Sequence, residues 1–134
     1  HLRVPAQCAS AQRIAEFLNS HPRVERVNYP GLPSHPGHQL ARKQMKAFGA
    51  MISLEVQGGY EGGKKVMNGV KIFARAASLG DTRSLIVHSA STSHAAVPRP
   101  QRVAMGITDG LVRLSIGVEA VEDLVEDLDQ ALAF

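Results

Sequence analysis

Arg113 lies in the middle of a short apolar run, Gly110-Leu-Val-Arg-Leu-Ser-Ile-Gly117, closed at both ends by glycine. A guanidinium among apolar residues is costly unless it is paired or reaches water. Such a run reads as a buried strand. Alternation then puts Val112, Leu114 and Ile116 on one face and Leu111, Arg113 and Ser115 on the other. The first face suits a core, and the second can deliver Arg113 to a cleft. A planar guanidinium is suited to bidentate capture of a carboxylate or phosphate. The same residues also fit a structural ion pair or an edge-strand charge in water, and spacing alone leaves both readings open.

Two other segments carry polar chemistry. Ser89-Ala-Ser-Thr-Ser-His94 is rich in hydroxyls, which can satisfy local backbone groups or form a polar wall for a ligand. Ser78-Leu-Gly-Asp81 is an irregular turn of small residues that can bring backbone close to a ligand. The six histidines do not assemble a metal pattern: His35 and His38 are three apart with no accompanying carboxylate or cysteine cluster, and His88 and His94 lie in the irregular segment. No metal site is expected. The glycine pairs Gly58-Gly59 and Gly62-Gly63 match neither a P-loop nor a dinucleotide fingerprint. Cys8, the lone cysteine, falls in a helical pattern and reads as a small packing residue.

These residues need elements to position them. A helix is expected over 5–19, stopped by Ser20-His21-Pro22, with Ile14, Ala15, Phe17 and Leu18 inward. Val24–Tyr29 alternates as a partly exposed strand, and Pro30–Pro33 is a loop. A second helix is expected from Pro36 to Lys46 with Leu40 and Met45 as its inner face. Ala50–Val56 reads as a strand, 60–69 as a short helix with Val66 and Met67 inward, Lys71–Ala74 as extended, and Ser84–Val87 as a short strand. Pro98 and Pro100 lead into a brief helix toward Met105. The last helix is marked by Val121, Leu124, Val125, Leu128, Ala131 and Leu132 at helical spacing, with Glu119, Glu122 and Asp123 crowding its first turn. The order α-β-α-β-α-β-β-α-β-α with short connections predicts an α+β fold: a small, largely antiparallel sheet with helices packed on it.

At 134 residues the chain reads as a single domain, 1–134, long enough to bury a core. A hydrophobic content of 44% and a charged content of 20% are those of a soluble globular protein. No apolar run approaches the roughly 18 residues of a membrane span. Nor does a charged region followed by an apolar stretch open the chain as in a signal peptide. The lone cysteine fits a reducing compartment, so a cytoplasmic location is expected. The net charge of +3 is scattered, and the chain has no Trp and 2 Tyr. Nucleic-acid binding is not expected, because it calls for a basic stripe interleaved with stacking aromatics.

The joint order of these motifs resembles the C-terminal domain of the Cys/Met-metabolism, or transsulfuration, family of pyridoxal-phosphate (PLP) enzymes. The resemblance spans essentially the whole chain. It rests on Ala15-Glu-Phe-Leu18, Tyr29-Pro-Gly-Leu-Pro-Ser-His-Pro36, Ser78-Leu-Gly-Asp81 and Gly110–Gly117 with its following acidic helix. The family fold implied is the small C-terminal domain of fold-type I PLP enzymes. Arg113 matches the arginine that grips the substrate's α-carboxylate. Ser78 and Leu79 match the pair lining the site beside the substrate and the catalytic lysine. Ser93 stands where the family usually has threonine in Ser-Met-Thr-His or Ser-Thr-Thr-His, and Ser89 replaces the proline of His-Pro-Ala-Ser.

The resemblance also marks what the chain lacks. The family binds its cofactor through a lysine in a large upstream domain, in a Ser-x-Thr-Lys setting. Lys43, Lys46, Lys64, Lys65 and Lys71 have no such context. His1 in place of Met agrees with a piece of a longer protein. The chain alone is therefore expected to hold no covalent PLP and to be inactive. The parent enzyme implied acts on a sulfur amino acid or a homoserine ester with PLP as electron sink, and is a homo-oligomer, typically a homotetramer. Ala77 bears on specificity. Cystathionine-handling members usually carry glutamate before the Ser-Leu pair, whereas Ala77-Ser-Leu-Gly-Asp81 and Val66-Met-Asn68 look more like methionine gamma-lyase. Arg83-Ser-Leu85 and Ser91-Thr-Ser-His94 lean toward the O-acetyl- or O-succinylhomoserine sulfhydrylases, and cystathionine gamma-synthase and gamma-lyase are further alternatives. A different class, a non-enzymatic amino-acid-binding or assembly module, also fits an arginine that clamps a carboxylate.

Overall fold

A computed structural model describes residues 1–134. The elements run in the order α1 (Arg3–Ser20), β1 (Val24–Asn28), α2 (His38–Gln44), β2 (Met51–Val56), α3 (Gly59–Gly69), β3 (Ala74–Arg75), β4 (Leu85–His88), a 3-10 turn (Ser89–Ser91), α4 (Arg99–Ala104), β5 (Leu111–Ser115) and α5 (Val121–Leu132). The five strands form one sheet in the order β1-β2-β5-β4-β3. Three neighbouring pairs are antiparallel and only β3–β4 is parallel. This is the α+β architecture that the alternation of elements predicts.

Period-two alternation divides the sheet into two faces. Ile52, Leu54 and Val56 of β2, Val112 and Leu114 of β5, and Ile86 of β4 point into the core, which continues through Ile116 just beyond β5. The core is closed by α1, α3 and α5 on the same side. Ile14, Leu18, Val66, Leu124, Leu128 and Leu132 supply the helical half of it, each with no accessible surface. Each such aliphatic side chain contributes roughly 2 kcal/mol by removal from water. The opposite face carries Met51, Ser53, Glu55, Leu111 and Arg113, all half-buried, and no helix of the chain lies across it at β2 and β5.

The second helix departs from expectation. The 34–37 stretch forms turns, so α2 begins only at His38, after Gly37. Met45 is its C-cap in extended conformation (φ −109°, ψ 141°) and therefore lies outside the helix. Ala41 is its one buried residue, while Leu40 and Met45 are 58% and 44% exposed. Too short to present a full apolar stripe, α2 is tethered instead by His38, whose Nδ1 lies 2.8 Å from the Pro30 carbonyl oxygen and whose ring stacks on Phe48. Glu119 also departs from its expected place in the first turn of α5. It lies before that helix and accepts hydrogen bonds from the Ser84 N–H (2.7 Å) and Ser84 Oγ (2.8 Å). Glu122 and Asp123 do occupy the first turn.

Lys71–Phe73, expected as extended chain, is held by a group that spacing alone does not reveal. Asp127 of α5 is 4% exposed and accepts from the backbone N–H groups of Lys71, Ile72 and Phe73 at 2.7, 2.8 and 3.2 Å. A buried carboxylate is tolerable when backbone donors surround it in this way. The clip ties α5 to the segment that leads from α3 into β3.

Candidate functional site

Arg113 occupies the centre of β5, paired across the ladder with Ser53 of β2 and Val87 of β4. Its neighbours Val112 and Leu114 face the core with no accessible surface, so the alternation forces the guanidinium onto the uncovered face. None of the chain's ion pairs includes Arg113. Its single hydrogen bond runs from Nη2 to the carbonyl oxygen of Ser78, at 3.1 Å. A half-buried guanidinium with one donor committed and no acid opposite it keeps its remaining donors free for an anion. The structural ion pair that spacing left open is not formed.

The segment carrying Ser78 follows β3 and is stitched to β5 and the turn after it. Gly80 N–H donates to Ser115 Oγ (3.0 Å), Val118 N–H to the Thr82 carbonyl (2.8 Å), and Gly117 N–H to Ser84 Oγ (2.9 Å). Ser115, grouped with Arg113 on the cleft face by alternation, is thus buried and committed to this stitching. Gly117 is required by the close approach: a Cβ there would collide with the Thr82 carbonyl oxygen and the Ser84 backbone nitrogen. From the helical side, Arg3 Nη1 donates to the Gly80 carbonyl at 2.7 Å, and Gln7 Nε2 to the Asp81 carbonyl at 2.8 Å. Ala77, Ser78 and Leu79 stay exposed at the surface of this framework, Leu79 by 62%.

The entry to β5 is framed as firmly as its exit. Arg102 of α4, 5% exposed, donates from Nη1 to the carbonyls of Ile107 and Thr108, both at 2.9 Å, and from Nη2 to Asp109 Oδ1 at 2.6 Å. Arg99 grips the other Asp109 oxygen at 2.6 Å. Hydrogen bonds from Arg99 and then Arg102 hold the Asp109 carboxyl below its ordinary pKa. His88, with no accessible surface, donates from Nε2 to the Asp109 carbonyl (2.7 Å) and has Ser91 Oγ at 2.8 Å from Nδ1. The carbonyl can only accept, so Nε2 carries the proton and Ser91 donates to Nδ1. Burial holds the His88 ring below its ordinary pKa. Gly63 of α3 lies flat on this ring, where a Cβ would collide with it. The second glycine pair therefore serves packing.

The expected site residues are not all brought together. Arg113 and Ser78 are in direct contact, and Ala77 and Leu79 flank Ser78. Ser93 is separate: it is exposed, its Oγ lies 2.9 Å from His94 Nδ1, and it makes no hydrogen bond to Arg113 or to the 77–81 segment. Its neighbour Thr92 instead lines a cavity of about 220 Å³ with Met67, Arg75, Ala76, Ala77, Ile86 and Val87. Spacing did not single out Arg3, Gln7, Arg102 or Asp109. Arg3 and Gln7 are one helical turn apart, the only signal that could have paired them.

A cofactor carbonyl needs an amine and a phosphate cradle, and the five lysines do not fit that demand. Lys64 pairs with Glu61, and Lys65 lies over the Phe134 ring. Lys43 and Lys46 are exposed in and just beyond α2, and Lys71 is exposed in the segment clipped by Asp127. None bonds to Arg113 or to the 77–81 segment. No group of three or more His, Cys, Asp or Glu is placed to hold a metal ion. No helix is long and apolar enough to cross a membrane. What the geometry offers is the Arg113 guanidinium, outside every ion pair, beside the hydrogen-bonded 77–81 turn.

Residues 1–133 match the family model described as "Cys/Met metabolism PLP-dependent enzyme". The chain is 55% identical over 131 residues to an L-methionine gamma-lyase of Fusobacterium nucleatum subsp. polymorphum, covering 98% of this chain and 33% of that protein. It is 48% identical to a cystathionine beta-lyase of Coxiella burnetii, across 98% of this chain and 34% of the relative. The crystal structure of a cystathione gamma lyase from Micromonospora echinospora superposes with a TM-score of 0.92 at 39% identity, over 99% of this chain and 35% of that one. The chain thus spans about a third of the length of the relatives it matches.

Proposed function

The chain belongs to the Cys/Met metabolism PLP-dependent enzyme family, and we propose that it forms the C-terminal, substrate-carboxylate-binding domain of a longer carbon–sulfur lyase of the methionine gamma-lyase type. The observation that carries this reading is the Arg113 guanidinium, held at one edge by the Ser78 carbonyl and facing no carboxylate of the chain. An amino-acid α-carboxylate satisfies its remaining donors in the planar, charge-assisted geometry that arginine favours. Ser78 and Leu79 line the same turn. Ala77, just before them, offers no carboxylate to a distal ammonium, which favours a substrate with an uncharged S-alkyl end, such as methionine, over cystathionine. Ser93 belongs to the same wall in this reading, through a segment that reaches the Ala77 cavity at Thr92.

PLP, when bound, supplies the electron sink for cleavage at the γ-carbon. The lysine that holds it lies outside these 134 residues in this reading, as does the large domain that completes the pocket. This chain's share is positional. Arg113 fixes the carboxylate, and with it the direction of the Cα–H bond that must break. The isolated chain is inactive, and the full protein is a cytoplasmic homo-oligomer, a tetramer by the family pattern. A sulfhydrylase acting on O-acetyl- or O-succinylhomoserine would use the same clamp.

The test is the full-length protein loaded with PLP and supplied with L-methionine. Release of methanethiol and a keto acid is expected. Failure to release thiol from methionine, with turnover of a homoserine ester instead, would replace the lyase reading by the sulfhydrylase one. The 134-residue chain mixed with PLP should give no internal-aldimine absorbance, and a strong band would contradict the division of labour.

A further inference from the structure

We propose that Gln7 is a positioning residue for the carboxylate clamp, fixing the distance between the Ser78 turn and Arg113; the proposal rests on the clamp reading above. Gln7 is 2% exposed, near the start of α1, and belongs to the helical layer rather than to the face that carries Arg113. Its Nε2 donates to two carbonyls at once: Asp81 at 2.8 Å and Ile116 at 2.9 Å. Both partners can only accept, so the amide nitrogen must face them and both its hydrogens are used. The first carbonyl lies three residues past Ser78, and the second lies three residues past Arg113. One amide therefore spans the two chain segments whose other ends meet in the bond from Arg113 Nη2 to the Ser78 carbonyl.

The geometry gives Gln7 leverage that packing alone would not. Between the two anchors the segments touch once more, where Gly80 N–H donates to Ser115 Oγ at 3.0 Å. Arg3, one helical turn before Gln7, adds a bond to the Gly80 carbonyl at 2.7 Å. The exposed turn is thus pinned from below by α1 and from the side by β5. Ser78 and Leu79 are both exposed, so burial does little to hold them down. Without Gln7, two carbonyls lose their donor, the 78–81 turn is released toward water, and the Ser78 carbonyl no longer presents a fixed acceptor to the guanidinium. Arg113 then samples rotamers, and the carboxylate loses a pre-oriented partner. The consequence is specific: binding weakens for ligands that carry a carboxylate and not for those that lack one.

The experiment uses the full-length protein and two non-cleavable probes, L-norleucine and its primary amide. Norleucine keeps the shape of methionine with a methylene in place of sulfur, and the amide removes the anionic charge. For Gln7→Met, which keeps length and loses both donors, the dissociation constant for norleucine should rise about tenfold, with the amide changed less than about twofold. Hydrogen exchange across residues 78–82 should accelerate in the same variant. A merely structural role would lower the melting temperature and weaken both probes equally, so an unchanged norleucine-to-amide ratio overturns the proposal. If Gln7→Met does not fold, Arg3→Ala, at an exposed position, carries the test. It should give a smaller loss of the same kind with faster exchange at 78–82, and an unchanged ratio with unchanged exchange is likewise fatal. Arg113→Ala separates the two layers of inference. Should it leave the ratio intact, the clamp reading itself falls; should it abolish the ratio while Gln7→Met does not, only the role of Gln7 falls.

Discussion

Arg113 Nη2 lies 3.1 Å from the Ser78 carbonyl oxygen and donates to it, across 35 positions of sequence. The bond joins a strand centre to an exposed turn. It occupies a single donor of the guanidinium and holds the group without neutralising it. Arg102, by contrast, meets a carboxylate, that of Asp109, at 2.6 Å. Arg113 meets a carbonyl instead, and its charge remains available.

Replacement of Arg113 should therefore cost binding and turnover more than folding. A hydrogen bond to a charged group is worth about 1.5–3 kcal/mol. Arg113→Ala in the full-length protein is expected to lower kcat/KM by about 100-fold or more, equivalent to about 2.7 kcal/mol. Arg113→Lys keeps the charge and loses the planar fork, and should fall between the two. Steady-state kinetics with a melting curve on each variant checks this. A melting temperature that drops while KM and kcat hold would assign Arg113 to stability.

The frame beneath the clamp makes a different prediction. Arg102 is 5% exposed and satisfies two carbonyls and Asp109. Without Arg102 the carbonyls of Ile107 and Thr108 lose their donor, while Asp109 keeps Arg99; unsatisfied groups of this kind cost about 1–3 kcal/mol each. Arg102→Ala should reduce stability on that scale by denaturant unfolding. Arg99→Ala removes the exposed partner of the same carboxylate and should change stability little. Equal effects would mean that burial does not set the value of this pair.

How far the chain can be read without coordinates depends on which physics does the positioning. The β5 strand, the α5 stripe and the faces of β2 follow from hydrophobic periodicity, and the placement of Arg113 opposite Val112 and Leu114 follows with them. Leu40 and Met45 misled because they are the large apolar residues of a segment whose helix ends at Gln44, too soon to bury them. Asp127 and Gln7 were invisible for another reason. Each is a polar residue on an amphipathic helix whose partners are backbone groups 54–56 and 74–109 positions away. No side-chain pattern marks which backbone donors or acceptors are left unpaired, so such anchors emerge only from the fold. The turn at 78–81 was recognisable as irregular, yet the bonds that hold it come from distant residues.

The buried His88 predicts a pH dependence with a definite sign. Desolvation, aided by Arg102 and Lys64, holds its pKa below the ordinary 6.5, against the opposing hydrogen bond to Asp109. Above that value the ring is neutral in both the folded and the unfolded chain, and stability is unaffected. As pH falls through it, the unfolded chain binds a proton that the folded one resists, so stability declines until the folded ring titrates. The carboxyls of Asp81, Asp109 and Glu122 are also held below their ordinary values of 3.8, 3.8 and 4.5, and act only at still lower pH. Melting temperature should thus fall between neutral pH and about pH 5, and less steeply in His88→Gln, whatever the plateau of that variant. Parallel slopes in the two proteins would remove His88 from the account.

Ala77 offers a test of specificity at a position with room to accept a larger side chain. It is exposed beside Ser78, and it borders a cavity of about 220 Å³ shared with Val87, Thr92 and Arg75. Ala77→Glu places a carboxylate next to the substrate-lining turn without touching the core, so folding should be preserved. A substrate with a distal ammonium gains an opposite charge there, while a neutral thioether gains only a polar neighbour that must be desolvated. A partly exposed ion pair is worth up to about 1 kcal/mol, which corresponds to about a fivefold change. The ratio of kcat/KM for cystathionine to that for methionine should rise, by up to about that factor. Arg75 lines the same cavity and can compete for the new carboxylate, so the combined Arg75→Ala, Ala77→Glu protein should show the larger shift. A ratio that stays flat in both would show that the residue before Ser78 does not face the distal end of the substrate.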